Sequence, residues 1–319
     1  MKKIFFIIFV NSILLIVLFF VIEFLIYNHY KNLDSHAGKN INKFQYTVNA
    51  KFSSYMENLE HFFNGNGNYF YGRLPDGLRY SNKSAIIIFG CSYAYGFELD
   101  ANKTFSYKLS QKLKRPVYNR SIPGGSFQHM YMQSISDSLY NRIPNADTVI
   151  YVMMSDHYRR LLTQYVRMTD LVVYPTYNIK NNELVSRNYN NKVKNFFESL
   201  YIVKYLNHIY AQRYINNPKN EKKLTDMSLL YFNKSKGELQ KHYGKNIKFY
   251  IFLYEDSDIL YSDILRKKLE DNGFLVVSTR DLTKEDLTKP EYKWDDNCHP
   301  SEKAWDLLTP LIIKKLKLK

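Results

Sequence analysis

The stretch Ala85-Ile86-Ile87-Ile88-Phe89-Gly90-Cys91-Ser92-Tyr93-Ala94-Tyr95-Gly96 decides how this chain folds. Its first five residues are apolar on both alternating faces and rich in β-branched side chains, the pattern of a strand buried inside a parallel sheet. Gly90 ends the run, and Ser92 falls just past the strand's carboxyl end, where open α/β sheets place their ligands. Working outward, similar runs recur at Thr148–Met154, Ile247–Tyr254 and Phe274–Val277, with a shorter candidate at Pro116–Asn119. Between and after them, Thr104–Leu113, Met130–Tyr140, Ile259–Leu269 and Trp305–Leu316 read as helices. Strands alternating with helices predict an α/β fold, a three-layer doubly wound parallel sheet covered on both faces.

The stretch from about 160 to 244 breaks that rhythm. It holds a hairpin signal at Asn181-Asn182 and two Tyr/Lys/Asn-rich helical segments, Phe196–Arg213 and Leu224–Tyr243. It reads as an insertion between core strands, a cap over the site. Residues 31–83 are polar, with Gly65-Asn66-Gly67-Asn68 and Pro75-Asp76-Gly77 as turn signals, and read as a lead-in with short strands. The main domain is then 84–319.

Residues 1–30 set the compartment. Ile4 to Ile22 are apolar except for Asn11 and Ser12, and the apolar character continues past Glu23 to Tyr27. That is about the 20 residues a membrane-spanning helix needs. Lys2 and Lys3 precede it, favouring a cytoplasmic N-terminus. A cleaved signal peptide would show a shorter apolar region and a small-residue cleavage site, and Phe24-Leu25-Ile26-Tyr27-Asn28-His29-Tyr30 offers none. The expectation is an uncleaved single-pass anchor with the rest of the chain outside the cytoplasm.

The 319 residues are 45% hydrophobic and 24% charged, with 12 Gly and 9 Pro, which excludes collagen-like and low-complexity classes. Two cysteines exclude a disulfide scaffold or a Cys-rich zinc site. The net charge of +15 leaves two readings open: an anionic partner, or the Lys/Asn/Tyr/Phe/Ile usage of an AT-rich genome. No compact Arg/Lys cluster interleaved with aromatics stands out, and the anchor puts the domain on the wrong side of a membrane for nucleic acid.

Three short motifs sit at strand ends. In Gly90-Cys91-Ser92, the serine is either a nucleophile flanked by backbone N–H groups or a cap for the next helix. In Asp296-Asn297-Cys298-His299-Pro300, the three-residue spacing lets the carboxylate hold imidazole Nδ1 and leave Nε2 as a base; the plainer reading is a polar surface histidine. In Asn119-Arg120-Ser121-Ile122-Pro123-Gly124-Gly125, a glycine N–H could face an oxyanion, or the segment is an ordinary turn. The α/β-hydrolase elbow Gly-x-Ser-x-Gly is also one substitution away from Gly90–Ala94, but that fold places its nucleophile after several strands and its acid well before the histidine.

Taken in order, these motifs resemble the SGNH/GDSL hydrolase family over roughly 84–158 and 245–316. Gly90-Cys91-Ser92 resembles its first block, with Cys91 where the name-giving Asp stands; Asn119–Gly124 is similar to the second; Asp296-x-x-His299 resembles the last. The third block, Gly-x-Asn-Asp, is departed from: Met153-Met154-Ser155-Asp156 places Ser155 at the Asn position. The resemblance implies acyl transfer by Ser92 with His299 as base and Asp296 orienting it, an oxyanion hole of Ser92, Gly124 and Ser155, and substrate contacts from His157, Arg160 and Asn119. It implies no metal and no organic cofactor. With the anchor, it implies a bacterial membrane-bound esterase acting in the periplasm or at the cell surface on O-acyl groups of a polysaccharide. An acetyltransferase, a lipid esterase, or a catalytically silent glycan-binding protein are the alternatives. A triad would also bring Cys91 and Cys298 into one neighbourhood, where either a disulfide or two free packed thiols would serve.

Overall fold

A computed structural model describes residues 11–26, 28, 83–96, 99–122, 124–154, 156–162, 177–180, 183–186, 200–255, 263–294 and 298–319. In chain order the strands are β1 (Ala85–Phe89), β2 (Val117–Asn119), β3 (Ala146–Met153), β4 (Tyr177–Lys180), β5 (Glu183–Ser186), β6 (Lys248–Leu253) and β7 (Leu275–Ser278). The helices are α1 (residues 11–26), α2 (Ser92–Tyr95), α3 (Phe105–Leu113), α4 (Phe127–Ser134), α5 (Asp137–Arg142), α6 (Asp156–Leu162), α7 (Tyr201–Ile215), α8 (Glu221–Tyr243), α9 (Asp263–Asp271), α10 (Thr279–Leu282) and α11 (Glu302–Leu316).

Five strands form one sheet in the order β2-β1-β3-β6-β7, and every neighbouring pair is parallel. The doubly wound expectation is met. The order reverses beside β1, so the crevice beyond the ends of β1 and β3 is the topological switch point where such sheets bind ligands.

Alternation along β1 divides the core into two layers. Ile86 and Ile88 pack with Phe105, Leu109, Trp305, Leu308 and Ile312. Ile87 and Phe89 face the other way, toward Phe127, Met130, Phe232, Leu239 and Leu265. Each isoleucine of β1 is fully buried, which stabilises the fold by about 1.5–3 kcal/mol per side chain. The first layer is closed by a stack of Phe105 on Trp305 at 4.8 Å. The second centres on Phe232, whose ring meets Phe127 at 5.3 Å and Tyr151 at 5.1 Å.

That second cluster corrects the expected insertion. Tyr231, Phe232 and Leu239 of α8 belong to the core under the sheet. The helix is therefore the crossover between β3 and β6, and the stretch outside the α/β rhythm ends near 220 rather than 244. β4 pairs antiparallel with β5, on either side of the expected hairpin signal Asn181-Asn182, which itself lies outside the described residues. The single helix expected over Met130–Tyr140 is two helices, α4 and α5. The break comes where Ser134 Oγ turns back onto Tyr131 O at 2.8 Å and Ile135 faces solvent.

Among the described residues, no helix is long and apolar enough to cross a membrane. The expected span Ile4–Tyr27 is described only over its α1 portion, where Ile13 to Leu25 expose most of their apolar side chains. Glu23 Oε2 accepts the N–H of Ile202 at the start of α7, at 2.8 Å. The expected lead-in lies outside the described residues except at 83, which the structure describes as a bend.

Candidate active site

The nucleophile loop is built by close backbone approach. A Cβ at Gly90 would sit 2.9 Å from both Ala94 Cβ and Val152 O, so only glycine lets the chain turn off β1 this tightly against β3. Cys91 then takes an extended conformation as N-cap of α2, and its fully buried thiol lies 3.3 Å from Met154 Sδ. Ser92 opens α2 and is 8% exposed. The helix lasts one turn: Gly96, at φ +79°, closes it by donating to Ser92 O and Tyr93 O. First-turn N–H groups have no partner inside their own helix, so the Ser92 N–H is a donor left over by the fold.

His299 reaches this loop from the far end of the chain. Lys293 and Pro300 pair as an antiparallel bridge, and Trp294 N–H donates to His299 O at 2.7 Å. This closes the turn that carries His299. Ser301, immediately after it, caps α11 by accepting the Ala304 N–H. The result is His299 Nε2 at 2.8 Å from Ser92 Oγ, a hydrogen bond between residues 207 apart. With Nε2 unprotonated, the contact is a serine O–H donated to a base.

Tyr93 ties the two segments together. Its hydroxyl donates to Cys298 O at 2.9 Å, and its ring stands edge-on to His299 and to Tyr254, each at 5.3 Å. Sequence reading passes over Tyr93, because nothing in its local pattern separates it from the other 28 of the chain's 29 tyrosines.

Beside the pair lies a hydrogen-bonded turn. Gly125 N–H donates to Ile122 O at 2.6 Å, and Gly124, the third residue of the turn, has φ +75°, the conformation that a type II turn reserves for glycine. Ile122 N–H donates to Gly90 O at 3.1 Å, which fastens this turn to the nucleophile loop. Asp296 and Ser155 lie outside the described residues.

Three expected substrate contacts are placed elsewhere. His157 is fully buried; its Nδ1 is 2.9 Å from Tyr151 OH, and burial drives its pKa well below the usual imidazole value. It is a neutral core histidine. Asn119 is buried as well: its amide donates to Ala94 O at 2.8 Å and Ser106 Oγ at 3.2 Å, while its oxygen accepts the Ser121 N–H at 3.1 Å. With these bonds made, Asn119 braces α2 rather than meeting a ligand. The Arg160 side chain is 11% exposed and ion-paired with Asp156 at 2.8 Å, and it donates to Gly125 O at 2.7 Å. It is turned into the protein and away from an external acid.

Neither Cys91 nor Cys298 is disulfide-bonded, so the disulfide alternative is not realised. Burial raises the Cys91 pKa, with the Arg160 charge opposing it; the protonated thiol next to Ser92 is a packing group and not a competing nucleophile. Among the described residues, no group of three or more His, Cys, Asp or Glu side chains could hold a metal ion.

No family model matches the chain, and no curated protein matches it. Solved structures similar to it include a lipolytic protein of the G-D-S-L family from Desulfitobacterium hafniense, at 8% identity and a TM-score of 0.44, covering 73% of this chain and 99% of that one. A psychrotrophic esterase from Pseudoalteromonas sp. is 14% identical with a TM-score of 0.39, covering 74% of this chain and 97% of the other. An acetyl xylan esterase from Butyrivibrio proteoclasticus is 12% identical with a TM-score of 0.37, covering 74% and 65%.

Proposed function

We propose that the chain is a serine ester hydrolase in which Ser92 is the nucleophile and His299 the general base. The observation that carries this is the 2.8 Å contact between Ser92 Oγ and His299 Nε2 at the switch point of a parallel sheet. Ser92 Oγ attacks the ester carbonyl as its proton passes to Nε2, and the N–H groups of Ser92 and Gly124 receive the oxyanion. His299 returns the proton to the leaving alcohol. A water, deprotonated by the same imidazole, then attacks the acyl-enzyme and frees Ser92. Asp296, three residues before His299, is assigned to imidazole Nδ1, and Ser155 to the place beside the hole where a third donor would stand. The substrate class is an O-acyl group, acetyl above all, on an envelope or exported polysaccharide. The support for an anchor that holds the domain outside the cytoplasm is the apolar sequence from Ile4 to Tyr27 with Lys2 and Lys3 before it.

The test is labelling with a fluorophosphonate, mapped by mass spectrometry. Labelling of Ser92 that is lost in Ser92→Ala and in His299→Ala is the expected result, together with hydrolysis of short-chain aryl acetates and release of acetate from acetylated glycans. A folded, monodisperse protein that neither labels nor hydrolyses any ester refutes the reading and favours a glycan-binding role.

A further inference from the structure

Arg160 is nearly buried, its side chain 11% exposed. It joins α6 to the segment that runs from the Gly124 turn into α4. Asp156, one turn earlier on α6, fixes it from the Nε side at 2.8 Å. Nη1 donates to Gly125 O at 2.7 Å, the last residue of the turn that contains Gly124. In the reverse direction, Gln128 Nε2, at the start of α4, donates to Arg160 O at 2.8 Å. Each segment thus grips the backbone of the other. The opposite end of the turn is already fastened, by Ile122 N–H to Gly90 O. Space is tight as well: a Cβ on Gly125 would lie 2.7 Å from Ile122 O and 3.0 Å from Gly90 O.

We propose that Arg160 is a positioning residue for the oxyanion hole, holding the Gly125 carbonyl so that the Gly124 N–H stays aimed at the reacting carbonyl. The inference rests on the esterase reading above and deepens it. The chain has Ser155 where the resembled family has an Asn donor. A charge-assisted bond to a backbone oxygen is a stronger tether than a neutral one.

The experiment compares wild type, Arg160→Gln, Arg160→Lys and Asp156→Asn, using aryl acetate hydrolysis per folded molecule and fluorophosphonate labelling rates. Arg160→Gln is expected to lower kcat and the labelling rate about 10- to 100-fold, the scale of a misplaced group and short of the roughly 100- to 1000-fold of an oxyanion donor lost outright, with KM changed by less than about threefold. Arg160→Lys recovers part of the loss, because an ammonium reaches one of the two acceptors without the fork. Asp156→Asn, which keeps the shape and removes the anchoring charge, falls between wild type and Arg160→Gln and answers the question if the glutamine variant does not fold. Unchanged kcat in a folded variant overturns the proposal. So does a rise in KM alone, which would return Arg160 to substrate binding. A folded wild-type protein without esterase activity or labelling overturns the esterase reading itself, and this proposal with it.

Discussion

Deleting one oxygen, in Tyr93→Phe, tests how the base is held. The ring and its edge contacts with His299 and Tyr254 remain, while the donation to Cys298 O at 2.9 Å and the contact with Cys298 Sγ at 3.6 Å are lost. Cys298 is solvent-exposed, so water can replace the lost donor at its carbonyl. The stability cost is that of an ordinary neutral hydrogen bond, about 0.5–1.5 kcal/mol, too little to unfold a domain of this size. The catalytic cost is set by geometry. Cys298 and His299 are adjacent, and the Ser92 contact is already at the short length proton transfer requires. Releasing the carbonyl lets the imidazole swing out of line, and a loss of about tenfold in kcat corresponds to only about 1.4 kcal/mol of lost alignment. Tyr250→Phe is the matched control: it deletes a hydroxyl that donates to Leu316 O at 3.2 Å, within the core and near the other end of the strands. Both variants should lose similar stability in urea unfolding, while only Tyr93→Phe loses kcat on aryl acetates. Equal kcat in both, at equal folded fraction, would show that the Tyr93 hydroxyl does not position the base.

Three further outcomes follow from the same packing. Gly125→Ala forces a methyl against two backbone oxygens, Ile122 O and Gly90 O, so it should cost about 1–3 kcal/mol in thermal or urea unfolding and depress activity; a fully active, equally stable variant would mean the turn relaxes freely. His129 is buried with its pKa lowered to about 3, mainly by burial and then by Arg160. An unfolded histidine takes up a proton that this one refuses, so stability is lost as pH falls below about 6.5, at about 1.4 kcal/mol per pH unit. Urea titrations at pH 7 and 5 should show that loss, and His129→Gln, which can still accept the Ser126 N–H, should lessen it; an unchanged slope would contradict the assignment. A thiol reagent should modify Cys298 and spare Cys91 until the protein unfolds, since Cys91 is fully buried with a raised pKa; early modification of both would show that solvent reaches the nucleophile loop from behind.

The sheet was legible because strands buried on both faces appear as apolar runs, unbroken in β1 and over Val149–Met153 of β3 and Phe249–Leu253 of β6. β7 at the sheet edge, with Leu275 exposed, still shows a short apolar run, Leu275–Val277. The Ser92–His299 pair was legible because each lies beside glycine or proline punctuation at a strand end or helix start. Asp296 and Ser155 lie outside the described residues, so their roles stay with the resemblance. The identity of α8 was hidden by its composition. Thr225, Ser228 and Ser235 are buried on its packing side, where the apolar stripe that marks a core helix should be. Hydroxyls can hide there because a helix offers its own carbonyls: Ser228 Oγ donates to Leu224 O at 2.9 Å. His157, Asn119 and Arg160 were misread for a common reason. A polar side chain near a motif suggests a ligand contact, whereas each of these points inward and meets the protein's own groups, and residue type alone does not reveal direction.

The packing also explains how a pair so distant in sequence is held at hydrogen-bond distance without a covalent link. Ser92 is presented by α2, whose Tyr93 and Ala94 belong to the same buried layer as Trp305, Leu308 and Ile312 of α11. His299 is three residues before α11. The helix that follows the base is thus seated in the layer that seats the nucleophile, with Trp305 fully buried and stacked on Phe105. Truncating a buried tryptophan costs about 3–5 kcal/mol, so the position of His299 is underwritten by a term several times larger than the Tyr93 hydrogen bond. Core packing sets where the base arrives, and the Tyr93 bond and the Trp294–His299 turn set how it is aimed. A substitution in the core should therefore lower the folded fraction and leave kcat per folded molecule intact, while Tyr93→Phe does the reverse. Trp305→Phe, which keeps an aromatic ring against Phe105, is the variant on which that separation can be measured: a fall in kcat per active site, titrated with the fluorophosphonate, would show that core and aim are not separable.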